Sequence, residues 1–138
     1  MNVTIAPDYQ PSKKEDFMNP VMVEYFRQKL LAWRNDMLTE SNDTLQSLQE
    51  GGIQEPDISD RASIETDRSL ELRNRARARK LISKIDEALE RIANGEFGYC
   101  DETSEPISLS RLEARPIATL TIEAQERHER MEKTHRDD

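Results

Sequence analysis

Two carboxylates stand three residues apart in Asp57-Ile58-Ser59-Asp60, shortly after the pair Gly51-Gly52. Acids on a short loop can perturb a metal-dependent active region or its mobile parts. The competing reading is local: Ser59 or Asp60 caps the helix that follows, and Asp57 stays in solvent. Lys84, Arg111 and Arg115 are candidates for an anion site, because ammonium and guanidinium groups bind phosphate oxygens through charge-assisted hydrogen bonds. Cys100-Asp101-Glu102-Thr103 has the spacing of a zinc knuckle whose second ligand is replaced. Cys100 is the only cysteine, so it completes neither a disulfide nor a cysteine-based metal centre, and it reads as a packing residue in a turn. His128 and His135, seven apart on a polar stretch, read as solvent-exposed. There is no P-loop, no dinucleotide fingerprint and no nucleophile beside a base, so nothing in the pattern speaks for catalysis.

The elements that would carry these residues are mostly helical. Asn19-Pro20 is a helix start, with Asn as N-cap and Pro at the first helical position, where its missing N–H costs nothing. Met22, Phe26, Leu30, Trp33, Met37, Leu45 and Leu48 then recur mostly at steps of three and four, which predicts an amphipathic helix ending at Gly51-Gly52. A second helix is predicted from Ser59 or Asp60 to Asn94-Gly95, with Ile64, Leu70, Leu81, Ile85, Leu89 and Ile92 in its seam and with Asn74 and Arg77 near core positions. Each helix is roughly thirty residues, about 45 Å at 1.5 Å per residue, and a short turn makes the pair antiparallel. Residues 97–100 and 106–109 read as short extended pieces around a turn, 111–115 as a helical turn, and 121–135 as a charged last helix. The expected organisation is a flexible arm over 1–18, a hairpin over 19–94 with its tip near 51–60, a small head over 95–120, and a C-terminal helix and tail over 121–138.

Composition fits a rod better than one compact body. Of 138 residues, 35% are apolar and 35% charged, which is thin for a single core but suits paired helices with a narrow seam. The net charge of −8 repels a polyanion, so direct specific DNA binding is not expected. No apolar run is long enough for a membrane span, Met1-Asn2-Val3-Thr4-Ile5 has no signal-peptide character, and the lone cysteine suits a reduced cytoplasmic setting. Charge is also sorted along the rod. Over 39–67 the acids are Glu40, Asp43, Glu50, Glu55, Asp57, Asp60, Glu65 and Asp67, with Arg61 as the sole base. Over 68–80 the bases Arg68, Arg73, Arg75, Arg77, Arg79 and Lys80 meet only Glu71. Either these are solvated faces, or an acidic tip enters a basic, metal-containing cavity while the basic shaft grips an acidic rim.

Five segments together carry a resemblance. Ala32-Trp33-Arg34-Asn35, Asp57-x-x-Asp60-x-Ala62, Ser69-Leu70-Glu71-Leu72-Arg73-Asn74-Arg75, Gly95-Glu96-Phe97-Gly98-Tyr99-Cys100 and Arg111-Leu112-Glu113-Ala114-Arg115-Pro116 stand in the order and spacing of the DksA/TraR family of transcription factors. The match runs from about Phe17 to about Arg130. The resemblance implies a mainly α fold: a long antiparallel coiled-coil hairpin on a small globular head with a degenerate zinc-ribbon-like segment, plus a C-terminal helix. It implies a non-enzymatic, monomeric regulator that enters the secondary channel of bacterial RNA polymerase, with guanosine tetraphosphate (ppGpp) as effector, repressing ribosomal RNA promoters and favouring some biosynthetic ones in the stringent response. The tip motif falls on Asp57, Asp60 and Ala62. The ppGpp-contacting positions fall on Leu81, Lys84 and Arg115, with Arg77 and Arg111 on the neighbouring basic surface; a further position, usually Lys, is Gln125. The four zinc ligands fall on Cys100, Thr103, Thr121 and Ala124, so the expectation is a zinc-free chain with no other cofactor. Two other functions compete: a transcript-cleavage factor resembling the Gre proteins, whose tip helps hold a catalytic magnesium, and a helical adaptor with no polymerase role.

Overall fold

The computed structural model describes the backbone of residues 3–51 and 58–137, and their side chains apart from 41, 43–51, 58–62 and 135–137. The chain is mainly helical: α1 (Pro20–Gly51), α2 (Ile58–Ala93), α3 (Leu109–Ala114) and α4 (Ile122–Asp137), in that order. An isolated antiparallel bridge pairs Tyr99 with Pro106. Among the described residues no helix is long and apolar enough to cross a membrane. The chain divides into two compact units, Met1–Leu30 with Glu87–Asp138, and Leu31–Asp86.

Helix ends follow the local chemistry. Asn19 Oδ1 accepts from the backbone N–H groups of Val21 and Met22 at 3.1 and 3.0 Å, satisfying donors that the first turn leaves free. At the far end of α2, Glu96 N donates to Arg91 O (2.8 Å) and Gly95 N to Ile92 O (3.1 Å). Gly95 sits at φ +76°, which makes this a glycine-terminated Schellman stop.

In the first unit, Met22, Phe26 and Leu30 repeat at steps of four and are fully buried, as are Ile107, Leu112 and Ala124. The Phe26 and Phe97 rings lie 5.5 Å apart, and Phe17 stands edge-on to Tyr99 at 5.3 Å. The segment before α1 is folded against this body. The Tyr9 hydroxyl donates to Glu15 (3.0 Å), and the Tyr9 ring meets that of Tyr25 edge-on at 5.7 Å. Met18 covers Gly98, which sits at φ +92°; a Cβ there would come within 2.9 Å of Met18 Cε.

In the second unit, Arg34 on α1 pairs with Asp86 on α2 at 2.7 Å. Trp33 and Met37 are half-buried and Ile85 fully buried. The inward row of α2 is Ile64, Arg68, Glu71, Arg75, Ala78, Ile82 and Ile85, alternating steps of four and three, and each is at least half-buried. That is the 3.5-residue repeat of a coiled-coil seam. Leu70, Asn74 and Arg77, placed in or near the seam from the sequence, are exposed instead, Leu70 by 50% and Leu72 by 55%. Choosing apolar residues in turn skips from Ile64 to Leu70 to Leu81 and loses the period. Counting back from Ile85 brings Arg75, Glu71 and Arg68 inward. Among the described residues none of these three has an ion pair, and Arg75 Nε is buried without a hydrogen-bond partner.

Candidate functional site

The cationic residues singled out from the sequence lie on both units. On α2, Arg77 and Lys84 are exposed and Leu81 is half-buried; steps of four and three put all three on one face. Neither Arg77 nor Lys84 makes a hydrogen bond or ion pair among the described residues, so this face carries two unpaired cations.

In the other unit, α3 starts at Ser108, whose hydroxyl accepts from Arg111 N. Arg111 is half-buried, and its Nε donates to Leu120 O at 2.9 Å, so part of that guanidinium is spent holding the chain between α3 and α4. Arg115 forms the C-cap: its N–H donates to Arg111 O at 2.7 Å while its side chain is exposed. Pro116, next in the chain, is buried. Gln125 is half-buried on α4 and donates to Glu129 at 3.3 Å. A guanidinium pointing into solvent from a fixed backbone, as at Arg115, can receive an anion; Gln125 contributes a neutral donor.

Cys100 occupies a turn built by its own backbone. Its N–H donates to Glu105 O (2.8 Å) and its carbonyl accepts from Ser104 N (2.9 Å). Arg91 braces the same turn, donating to Tyr99 O and pairing with Asp101. The buried Sγ receives Thr121 N at 3.5 Å and lies 3.9 Å from the Thr121 hydroxyl. That hydroxyl oxygen also accepts from Ala124 N at 3.3 Å, so Thr121 caps α4 as well. Burial pushes the thiol pKa up, but hydrogen bonds from the Thr103 side chain and from the amides of Thr121, Thr103 and Glu102 together bring it down to about 7. His128 is exposed, as expected, and meets Glu102 of this turn.

Asp57 lies outside the described residues, as do the side chains of Asp60 and Ala62, whose backbone forms the start of α2. Sequence reasoning missed Tyr25, Lys29 and the role of Glu113. Tyr25 and Lys29 both reach Glu113 across more than eighty residues of chain, and no local spacing signals such a contact.

Residues 22–92 match the model of the DnaK suppressor protein DksA N-terminal domain, and residues 95–130 that of the prokaryotic dksA/traR C4-type zinc finger. The chain belongs to the DksA family. The RNA polymerase-binding transcription factor DksA of Caulobacter vibrioides (strain NA1000 / CB15N) is 61% identical over 131 residues, covering 95% of this chain and 92% of the relative. The factor of the same name from Escherichia coli (strain K12) is 44% identical over 115 residues, 83% of this chain and 76% of the relative. Among solved structures, transcription factor DksA2 from Pseudomonas aeruginosa superposes with a TM-score of 0.81 at 41% identity, covering 90% of this chain and 94% of that one.

Membership corrects one expectation. The head matches a C4-type zinc finger, so zinc is the metal implied for this DksA-family segment, and the expectation of a zinc-free chain, which rested on three of the four ligand positions not being cysteine, is overturned by that match. The donor set here is narrower than four thiolates. Cys100 supplies one sulfur, Thr103 and Thr121 supply hydroxyls, and Ala124 supplies no donor. Among the described residues no group of three or more His, Cys, Asp or Glu could hold a metal ion. These side chains do not fit a four-cysteine centre.

Proposed function

We propose that this chain is a transcription regulator that binds bacterial RNA polymerase through the secondary channel and acts with ppGpp to alter promoter-complex stability. The observation that carries the reading is 61% identity over nearly the whole chain to a factor named for RNA polymerase binding. The same reading makes it a non-enzymatic, monomeric, cytoplasmic protein of the stringent response, one that binds polymerase rather than a DNA sequence. The acidic tip with Asp57, Asp60 and Ala62 acts in the polymerase active region, and the rest of 19–94 is its shaft. Leu81, Lys84 and Arg115 contact ppGpp, Arg77 and Arg111 add to the basic surface, and Gln125 contributes a weaker, uncharged contact. The exposed, unpaired state of Lys84 and Arg77 supports an anion or an acidic surface as their partner, since a free cation gives up little on binding.

Pull-down with core polymerase, followed by promoter-complex lifetimes with and without ppGpp, tests the reading. Binding, together with ribosomal promoter complexes that shorten further when ppGpp is added, is the expected result. No capture of polymerase would leave a helical adaptor, and RNA cleavage in paused complexes would favour a Gre-like factor.

A further inference from the structure

Helix α3 is six residues long, too short to satisfy its own C-terminal carbonyls. One of them is satisfied from outside the helix. Lys29 on α1 donates from Nζ to the backbone carbonyl of Glu113 at 2.9 Å and to Glu113 Oε2 at 2.6 Å. The hydroxyl of Tyr25, one turn earlier on α1, donates to the same carboxylate oxygen at 3.0 Å. The ammonium also stands 5.9 Å from the centre of the Tyr25 ring. The side chains of Lys29 and Glu113 are only about one-third exposed, at 36% and 34%, so the contact is partly sheltered from water. A cation at a helix C-terminus is favourable in any case, because the last carbonyls carry partial negative charge.

Two residues beyond Glu113 stands Arg115, the exposed C-cap with a free guanidinium. On its far side the backbone is set by Pro116, which is buried and restricts the residue before it. On its near side the chain is set by Lys29's hold on the Glu113 carbonyl. Lys29 has a second, electrostatic effect. Without it, the Glu113 carboxylate would lose its paired cation two residues before Arg115 in the chain. That carboxylate would repel an anion and compete for the guanidinium.

We propose that Lys29 is the positioning residue for anion capture by Arg115: it fixes the end of α3 and neutralises Glu113, leaving the Arg115 guanidinium free for phosphate. The inference rests on the reading that Arg115 contacts ppGpp. A purely structural ion pair joining α1 to α3 would affect stability alone.

The test measures the lifetime of a ribosomal promoter complex on holoenzyme across a ppGpp titration, for wild type, Lys29→Met, Lys29→Arg and Arg115→Ala. Lys29→Met is expected to raise the ppGpp concentration for half effect by about five-fold, the equivalent of about 1 kcal/mol, with the effect at zero ppGpp within about two-fold of wild type. Lys29→Arg, which keeps charge and donors, should recover most of that loss, and Arg115→Ala should show a shift at least as large as Lys29→Met. If Arg115→Ala shifts the titration and Lys29→Met does not, the inference is wrong and Lys29 is only a structural tie. If Arg115→Ala has no effect either, the ppGpp reading of Arg115 fails and the inference falls with it. Should Lys29→Met unfold at assay temperature, Lys29→Gln takes its place with the same outcomes.

Discussion

Replacing Arg75 with leucine should stabilise the protein, although it removes a charge from a highly charged helix. Arg75 is half-buried in the seam of α2, and its Nε is buried with no hydrogen-bond partner among the described residues. Leaving such a donor unsatisfied costs about 1–3 kcal/mol. Glu71, one turn earlier, is at a favourable spacing for an ion pair with Arg75 yet makes none. Full burial of a leucine contributes about 1.5–3 kcal/mol, so a half-buried seam position returns about half of that. The two effects act in the same direction, and side-chain repacking will consume part of the gain, so a net stabilisation of about 1–3 kcal/mol is expected. For a chain of this size that corresponds to a rise in Tm of roughly 3–10 °C. Thermal and urea unfolding followed by far-ultraviolet circular dichroism would read it. Arg77→Leu is the matched control: Arg77 is exposed, so its replacement should lie within about 0.5 kcal/mol of wild type. A lower Tm for Arg75→Leu, or a larger gain for Arg77→Leu than for Arg75→Leu, would refute the seam assignment.

Asp60→Asn keeps side-chain size while removing the charge in the first turn of α2, so it should stay folded and bind polymerase within a few-fold of wild type yet lose most of its effect on ribosomal promoter complexes; full activity would leave Asp60 without a regulatory role. Tyr25→Phe should lower stability at neutral pH by about 1 kcal/mol through loss of the hydrogen bond to Glu113. Burial, then the hydrogen bond to and charge of Glu113, push the Tyr25 hydroxyl up from 10.0 to about 12. Its contribution is therefore complete below pH 10 and fades between pH 10 and 12, and a wild-type-to-Phe difference that stays constant across that window would contradict the assignment. Gly98→Ala forces a Cβ into a left-handed backbone and against Met18, so a loss of about 1–3 kcal/mol is expected, partly relieved by Met18→Ala, and an unchanged urea midpoint would count against the close packing.

The amino-acid sequence determined what depends on neighbours along the chain. Asn19-Pro20 and Gly95 act through backbone geometry and caps a few residues away, so the start of α1 and the end of α2 could be read directly. The turn at Cys100, the short α3 and the charged α4 were legible for the same reason. The family was legible too, because its motifs are contiguous. The zinc expectation went astray because four ligand positions describe only the donors present, while membership is carried by the whole 95–130 segment. Tertiary structure alone decided the rest. Which face of α2 turns inward is fixed by burying Ile82 and Ile85, and the period then carries Arg75, Glu71 and Arg68 into the seam while Leu70 and Leu72 are left in solvent. Lys29 and Tyr25 meet Glu113 only because α1 and α3 pack in one body, an encounter between residues 84 and 88 positions apart that no local pattern encodes. Helix propensity and capping are short-range and written in the sequence, whereas the orientation of a helix and the partner of a charge follow from which surfaces the folded chain removes from water.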